Sequence, residues 1–203
     1  MQNKWKIWDF GYQSFSDIEP CMRQLVNQGD REYIPTLWFG EHYLVVTKGL
    51  SGYLDEPFYP FVPCYETNRG GKLTLHLPGQ LVFYPIFKLP AGLNVKQYVH
   101  LLEQVVINTL VEIGISSFRM EGAPGIYTIA GKISSIGIRV SQQYCYHGIS
   151  LNVSCPLRPF SWLISCGNPH LKITSIADHH FYPSICSVKK MMQENFFKLI
   201  DKE

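Results

Sequence analysis

The chain has 203 residues, 46% of them hydrophobic, which is enough for one domain with a sizeable buried core. Its 18 basic and 16 acidic side chains are scattered along the sequence, so it lacks the basic cluster that nucleic-acid-binding proteins carry. The apolar runs are shorter than the ~20 residues of a membrane helix, and the N-terminus has no secretory pattern. We therefore expect one domain over residues 1–203 in the cytoplasm, with no membrane span.

The cysteines indicate neither a zinc site nor a disulfide framework. They show no CxxC pair and no Cys/His spacing typical of metal ligands. In a cytoplasmic protein we expect free thiols, most of them buried as small hydrophobic groups. The six are Cys21, Cys64, Cys145, Cys155, Cys166 and Cys186.

In the first third of the chain, two strands flank a helix. Residues 5–12 and 36–47 are rich in aromatic and β-branched side chains and predict strands. Residues 16–28 predict a helix, because Asp17 and Glu19 suit the positive end of its dipole and the nearby proline falls in its first turn. An irregular loop is expected over residues 49–65, which are rich in Gly, Pro and aromatic residues.

The clearest helix signal in the chain begins at Asn94. Apolar residues recur at helical spacing, Asn94 and Gln97 have the pattern of a capping box, and Gly114 supplies the stop. Before this helix, residues 81–89 form an apolar strand pattern. We assign the helix a packing role and no chemistry.

The second half of the chain is rich in strands. Residues 126–153 predict three short strands with turns near residues 130–131 and 141–143, and residues 182–200 predict a C-terminal helix. Runs of strands with inserted helices indicate an α+β domain with a mixed, mostly antiparallel sheet packed against helices.

Four stretches resemble one family in the same order along the chain. Residues 69–80, RGGKLTLHLPGQ, resemble the RGGxxTxHxPGQ signature of octanoyltransferases, the lipoate-protein ligase B type of acyl carrier protein-dependent transferase. Residues 122–140 resemble its PGVYV…AKIASIGLRV pattern, residues 147–153 its FHGLALNV pattern, and residues 165–167, SCG, its PCG motif. The resemblance implies the biotin/lipoate protein ligase fold.

The same resemblance implies a reaction and its partners. The family moves an octanoyl group from octanoyl-acyl carrier protein to a specific lysine of a lipoyl domain, the first step of endogenous lipoate synthesis. The acceptors are lipoyl domains of 2-oxoacid dehydrogenases and the glycine cleavage H protein. No bound cofactor is expected, because the donor carries its own phosphopantetheine, and neither a metal nor a nucleic acid takes part.

The resemblance assigns the chemistry to Cys166 and Lys132. A free thiol with a pKa of about 8.5 is only a few per cent ionised at neutral pH, so the Cys166 nucleophile needs a nearby cation. The Lys132 ammonium would stabilise the thiolate, and a neutral Lys132 would accept a proton from the attacking amine. The alternatives are a buried structural thiol and an ordinary surface lysine. Ile129, Ile133 and Ile136 around Lys132 favour a partly buried amine.

By resemblance, three segments line the acyl pocket, with Leu75, Ile136 and Ile149 expected along an apolar tunnel. Backbone N–H groups in the second and third segments are candidates for holding the oxyanion of the attacked thioester. The segments comprise Arg69, Gly70, Gly71, Lys72, Leu73, Thr74, Leu75 and His76; Ser135, Ile136 and Gly137; and Gly148, Ile149 and Ser150.

Several histidines have two possible interpretations. His76 and His147 are either metal ligands or hydrogen-bonded groups in a pocket wall, and the lack of a third ligand favours the wall. Glu41 and His42 are either an acid–base pair or a solvated strand end, and we expect the strand end.

The chain departs from the family pattern at Leu77 (usually Gly), Gly131 (usually Ala) and Ser165 (usually Pro). None of these changes removes a reacting group. We expect Leu77 to alter the shape of the pocket. The alternative functions are an ATP-dependent lipoate or biotin ligase on the same fold, and a non-catalytic module that binds acyl carrier protein.

Overall fold

A computed structural model describes residues 5–29, 34–52, 61–162 and 171–201, so Cys166 and Ser165 lie outside the described residues. The described part contains ten strands and three α-helices, which confirms the α+β class. The helices are α1 (Phe15–Asn27), α2 (Val95–Ile113) and α3 (Ile185–Ile200). The strands are β1 (Lys6–Gln13), β2 (Thr36–His42), β3 (Val45–Lys48), β4 (Cys64–Glu66), β5 (Leu73–His76), β6 (Gln80–Lys88), β7 (Phe118–Met120), β8 (Ala123–Thr128), β9 (Gly131–Ser141) and β10 (Tyr144–Asn152).

The described strands form two sheets. The large sheet has the order β1-β2-β6-β10-β9-β8-β7, with β1 parallel to β2 and every other neighbouring pair antiparallel. In the small sheet, β3 lies between a parallel β4 and an antiparallel β5. The predicted mixed, mostly antiparallel sheet is confirmed.

Strand β6 lies near the middle of the large sheet and is buried along nearly its whole length. Because side chains alternate between the faces of a strand, β6 contributes to two hydrophobic clusters. Leu81, Phe83 and Phe87 pack in the cluster that includes side chains of α2 and α3. Val82, Tyr84 and Ile86 pack in the cluster that includes α1. The helices therefore cover both faces of the sheet.

Helix α2 has the predicted ends. The Asn94 side chain accepts a 3.0 Å hydrogen bond from the Gln97 N–H, and the Asn94 N–H donates to Gln97 Oε1 at 2.8 Å. Gly114 ends the helix in a left-handed conformation. Neither α2 nor any other described helix has the length and apolar character needed to cross a bilayer.

The prediction of one strand over residues 36–47 is wrong. Strands β2 and β3 belong to different sheets and are separated by Tyr43 and Leu44. The three-residue strands β4 and β7 were not predicted either, because their side chains are too few to establish a period of two.

The expectation that most cysteines are buried is wrong for the described residues. Cys145 and Cys155 are buried, whereas Cys64 is partly exposed. Cys21 and Cys186 are exposed because they lie on solvent-facing positions of α1 and of the first turn of α3.

Candidate active site

A cavity of about 550 Å³ lies between residues 69–76, which lead into and form β5, the paired strands β9 and β10, and the start of α2. It is lined by every described residue of the three segments expected from sequence, except Leu75. Gly137 lies opposite Gly148, and Ile136 opposite Ile149, across the two strands. The other residues in the lining include Phe15, Tyr84, Val95, Val99, Met120, Pro124, Tyr127, Lys132, Ile138, His147 and Leu171.

Arg69 anchors the segment that covers one side of the cavity. Its buried guanidinium donates to the Thr47 carbonyl oxygen at 2.6 Å, to Thr47 Oγ1 at 2.8 Å and to the Gly70 carbonyl oxygen at 2.9 Å. The Gly70 N–H donates to the Ile138 carbonyl oxygen at 2.9 Å. These contacts join the small sheet to β9 and fix the cavity wall.

Leu75 and Leu77 point away from the cavity. They are 0% and 2% exposed, and they belong to a separate hydrophobic cluster with Cys155 and Phe160. Within β5, Leu73, Thr74 and His76 line the cavity, whereas Leu75 does not. The expectations that Leu75 contributes to the acyl tunnel and that Leu77 shapes it are thereby corrected.

Lys132 lies in the second position of β9 with only 4% of its surface exposed. Its Nζ donates to the carbonyl oxygen of Pro124 at 2.8 Å and lies 5.3 Å from the centre of the Tyr127 ring. The amine was expected to be partly buried, and Lys132 is almost fully buried. Ile129 plays no part in this burial, because it is 98% exposed at the turn between β8 and β9.

The backbone of Lys132 is paired with the chain that follows the undescribed segment. Its N–H donates to the Lys172 carbonyl oxygen at 2.8 Å, and the Thr174 N–H donates to the Lys132 carbonyl oxygen at 2.9 Å. The neighbouring Leu171 lines the cavity. Residues 171–174, the first described after residue 162, therefore lie beside Lys132 and the cavity.

Gly125 permits the close contact between Lys132 and β8. Its φ is +116°, and a Cβ there would lie 2.4 Å from the Ser134 carbonyl oxygen and 2.7 Å from Lys132 Cε. Only glycine fits this position without displacing the lysine. Gly125 is a site residue not predicted from sequence, although a Pro-Gly pair in a strand-rich stretch is a signal for close backbone approach.

His76 and His147 lie in the cavity wall with hydrogen-bond partners, as expected. His76 Nδ1 lies 2.7 Å from Gln80 Oε1, and His147 Nε2 lies 3.0 Å from Asn68 Oδ1. Burial lowers the pKa of each imidazole to about 3. Both histidines are therefore neutral near pH 7.

The interpretation of Glu41 and His42 as a solvated strand end is wrong. His42 is fully buried, with Nδ1 3.0 Å from the Gln13 carbonyl oxygen and Nε2 2.9 Å from the Tyr84 hydroxyl. Glu41 accepts a 2.7 Å hydrogen bond from the Gly79 N–H instead. Each side chain thus has its own structural partners, and neither is among the residues lining the cavity.

Comparison with known proteins identifies the family. The model of the lipoyl protein ligase A/B catalytic domain matches residues 21–197. The octanoyltransferase of Escherichia coli O17:K52:H18 is 32% identical over 202 residues, which cover 98% of this chain and 95% of that protein. The chain belongs to the octanoyltransferase family. The octanoyltransferase of Xylella fastidiosa is 39% identical over 170 residues, 83% of this chain and 74% of that protein.

Solved structures confirm the lipoate/biotin protein ligase fold of this octanoyltransferase. A lipoate-protein ligase A bound with ATP superimposes with a TM-score of 0.80 at 14% identity, over 98% of this chain and 85% of that one. The biotin protein ligase of Aquifex aeolicus has a TM-score of 0.61 at 14% identity, over 97% and 69% of the two chains. At this identity the likeness concerns the fold alone.

Proposed function

We propose that the enzyme takes its octanoyl group from octanoyl-acyl carrier protein, carries it as a thioester on Cys166, and delivers it to a lysine of a lipoyl domain. The acceptors would be the lipoyl domains of 2-oxoacid dehydrogenases and the glycine cleavage H protein. The observation that carries the proposal is the buried amine group of Lys132 in the wall of the cavity. The cytoplasmic location stays a prediction.

The cavity is long enough to hold a medium-length acyl chain. On β9 its lining extends from Lys132 to Ile138, six residue steps along an extended strand, or about 20 Å. Ile136, Ile138 and Ile149 supply apolar surface along this path. An acyl chain that starts near Lys132 would exchange water for hydrocarbon contacts over its whole length.

The covalent chain limits how far Cys166 can lie from Leu171. Cys166 precedes Leu171 by five residues, which span at most about 18 Å when fully extended. Leu171 lines the cavity, and Ile173 forms a bridge with Lys132. These relationships support the pairing of the thiol with the ammonium.

In the first step, the Cys166 thiolate attacks the thioester carbonyl of the donor. A bond forms between Sγ and the acyl carbon, and the bond from that carbon to the phosphopantetheine sulfur breaks. The departing thiolate takes up the proton of the Lys132 ammonium, which leaves Lys132 neutral, and the resulting thiol leaves with the carrier protein. One thioester replaces another of similar energy, so the step requires no ATP.

In the second step, the neutral amine of the acceptor lysine attacks the Cys166 thioester. A carbon–nitrogen bond forms, the carbon–sulfur bond to Cys166 breaks, and the amine loses one proton. A neutral Lys132 would accept that proton, which restores the ammonium beside the regenerated thiolate. The amide product is more stable than the thioester, so transfer proceeds to completion.

A transfer assay distinguishes this function from its alternatives. With octanoyl-acyl carrier protein and a lipoyl domain, we expect octanoylated lipoyl domain to form at the same rate with and without ATP and Mg²⁺. Free octanoate plus ATP serves as the matched alternative donor and should give no product. Product from octanoate and ATP alone would indicate a ligase, and binding of the carrier protein without product would indicate a non-catalytic module.

A further inference from the structure

The peptide group between Pro124 and Gly125 is hydrogen-bonded at both of its polar atoms. Its carbonyl oxygen accepts the 2.8 Å hydrogen bond from Lys132 Nζ. Its N–H donates to Glu103 Oε1 at 2.9 Å. A carboxylate of α2 is therefore connected to the Lys132 ammonium through a single peptide group.

Glu103 is held in a fixed orientation. It lies within α2 and is 6% exposed, and its second oxygen, Oε2, accepts from Arg119 Nε at 3.0 Å. Arg119 is fixed in turn by hydrogen bonds to the His100 carbonyl oxygen at 3.0 Å and to Gln104 Oε1 at 2.9 Å. Both carboxylate oxygens thus have partners, and the side chain has little freedom to turn away from Gly125.

The physical consequence falls on Lys132. A hydrogen bond from a peptide N–H to a carboxylate is charge-assisted, and it polarises the peptide so that the carbonyl oxygen at the other end becomes more negative. In a buried site this polarisation is weakly screened, so the carbonyl binds an ammonium more firmly. Glu103 therefore strengthens and orients the contact that fixes Lys132.

We propose that Glu103 is a positioning residue for acyl transfer, which acts through the 124–125 peptide to hold the Lys132 ammonium in its reactive orientation. Glu103 is not among the residues lining the cavity, so it acts on the site through the 124–125 peptide and Lys132. The inference rests on the proposed function, because it assumes that Lys132 acts on Cys166. It adds α2 to the elements that determine the rate.

Glu103→Gln tests the proposal, because it preserves the side chain's shape and removes its charge. We expect the rate of transfer at saturating donor to fall by about tenfold, as for loss of a charged hydrogen bond, with the donor KM changed by less than about twofold. We also expect the pH midpoint of Cys166 alkylation, followed by peptide mapping, to rise. Removal of a negative charge acting directly through space would lower that midpoint, so the direction separates the two effects.

Two further variants separate positioning from stability. Arg119→Gln breaks the ion pair between Arg119 and Glu103 but leaves the Glu103 carboxylate hydrogen-bonded to the Gly125 N–H. It should therefore destabilise the fold while shifting the alkylation midpoint less than Glu103→Gln does. Glu112→Gln makes the same chemical change at an exposed position of α2 and should leave transfer unchanged. Equal midpoint shifts in Glu103→Gln and Arg119→Gln would overturn the proposal.

The Lys132→Met background distinguishes failure of this inference from failure of the proposed function. If Glu103 acts through Lys132, adding Glu103→Gln to Lys132→Met should leave the alkylation midpoint where Lys132→Met alone puts it. If Lys132→Met raises the alkylation midpoint but Glu103→Gln leaves it unchanged or lowers it, only the role of Glu103 is overturned. Full transfer by Lys132→Met would overturn the function on which the inference rests.

Discussion

The Nε2 atom of His42 lies 2.9 Å from the hydroxyl oxygen of Tyr84, and both side chains are buried. Tyr84 lines the cavity, so this hydrogen bond joins the cavity wall to the end of β2. Burial lowers the pKa of His42 to about 4, and the pKa of His76 and His147 to about 3. The folded protein therefore requires three neutral histidines around the site.

The free energy of unfolding is expected to fall as the pH drops below about 6.5. In that range the unfolded chain binds protons at these histidines, whereas the folded chain does not until pH 4 or lower. Each histidine then costs up to about 1.4 kcal/mol of stability per pH unit. Urea unfolding at pH 7, 6 and 5 measures this dependence. Above about pH 6.5, the pKa of histidine in the unfolded chain, neither state binds protons at these residues and the loss of stability disappears.

His42→Gln isolates one of these contributions. It removes a titrating group, so the slope of unfolding free energy against pH should decrease even if the variant is less stable overall. His100→Gln, at an exposed position, provides the matched control. A His42→Gln slope equal to that of the unmodified chain would contradict the burial of a neutral His42.

Local signals in the sequence were sufficient for several elements of the fold. Helix α2 was predicted with both ends because Asn94, Gln97 and Gly114 are close in sequence to the residues they cap. The hairpin strands β8, β9 and β10 were predicted for the same reason. The break between β2 and β3 was not, because it depends on which sheet each half joins.

The candidate site was only partly predictable for a related reason. The segments lining the cavity follow family motifs, but the side on which Leu75 and Leu77 lie depends on the packing of Cys155 and Phe160. The contact between Glu103 and Gly125 joins residues 22 positions apart on two elements. Nothing in the sequence around Glu103 distinguishes this buried glutamate from an exposed glutamate on a helix.

Leu77→Ala should affect stability and leave chain-length preference nearly unchanged. Leu77 is 2% exposed within a cluster of buried side chains, so truncation should lower the free energy of unfolding by about 2–5 kcal/mol. Ile136→Ala, which enlarges the cavity, should change the relative rates with six-, eight- and ten-carbon donors. A larger change in these rates from Leu77→Ala than from Ile136→Ala would contradict the burial of Leu77 in the cluster with Cys155 and Phe160.

Gly131→Ala should disturb the pairing that positions Lys132. Gly131 has a φ of +149°, and a Cβ there would lie 2.5 Å from the Lys172 carbonyl oxygen, which accepts the hydrogen bond from the Lys132 N–H. Backbone strain alone costs about 1–3 kcal/mol, so we expect the free energy of unfolding to fall by more than this and transfer to become slower. Gly92→Ala has a positive φ with no atom within 4 Å of the added Cβ, so it measures backbone strain alone. Equal losses in the two variants would argue against the contact with Lys172.

Substitutions of Lys132 separate its electrostatic role from its role in proton transfer. In Lys132→Met, the pKa of Cys166 measured by alkylation should rise toward the free-thiol value of about 8.5, because the cation is lost. Lys132→Arg retains a cation but cannot accept a proton, so it should form the Cys166 thioester and fail to pass it on. Normal transfer by Lys132→Arg would show that Lys132 acts only as a cation. An unchanged thiol pKa in Lys132→Met together with full turnover would exclude both the electrostatic role and the role in proton transfer.

Intact-mass measurement after incubation with octanoyl-acyl carrier protein tests the covalent mechanism most directly. The account predicts a single added mass of about 126 Da that maps to Cys166 and is removed by hydroxylamine. Cys166→Ala should abolish both the adduct and turnover, whereas Cys145→Ala and Cys155→Ala should retain them. An adduct on another cysteine, or full turnover by Cys166→Ala, would contradict the mechanism.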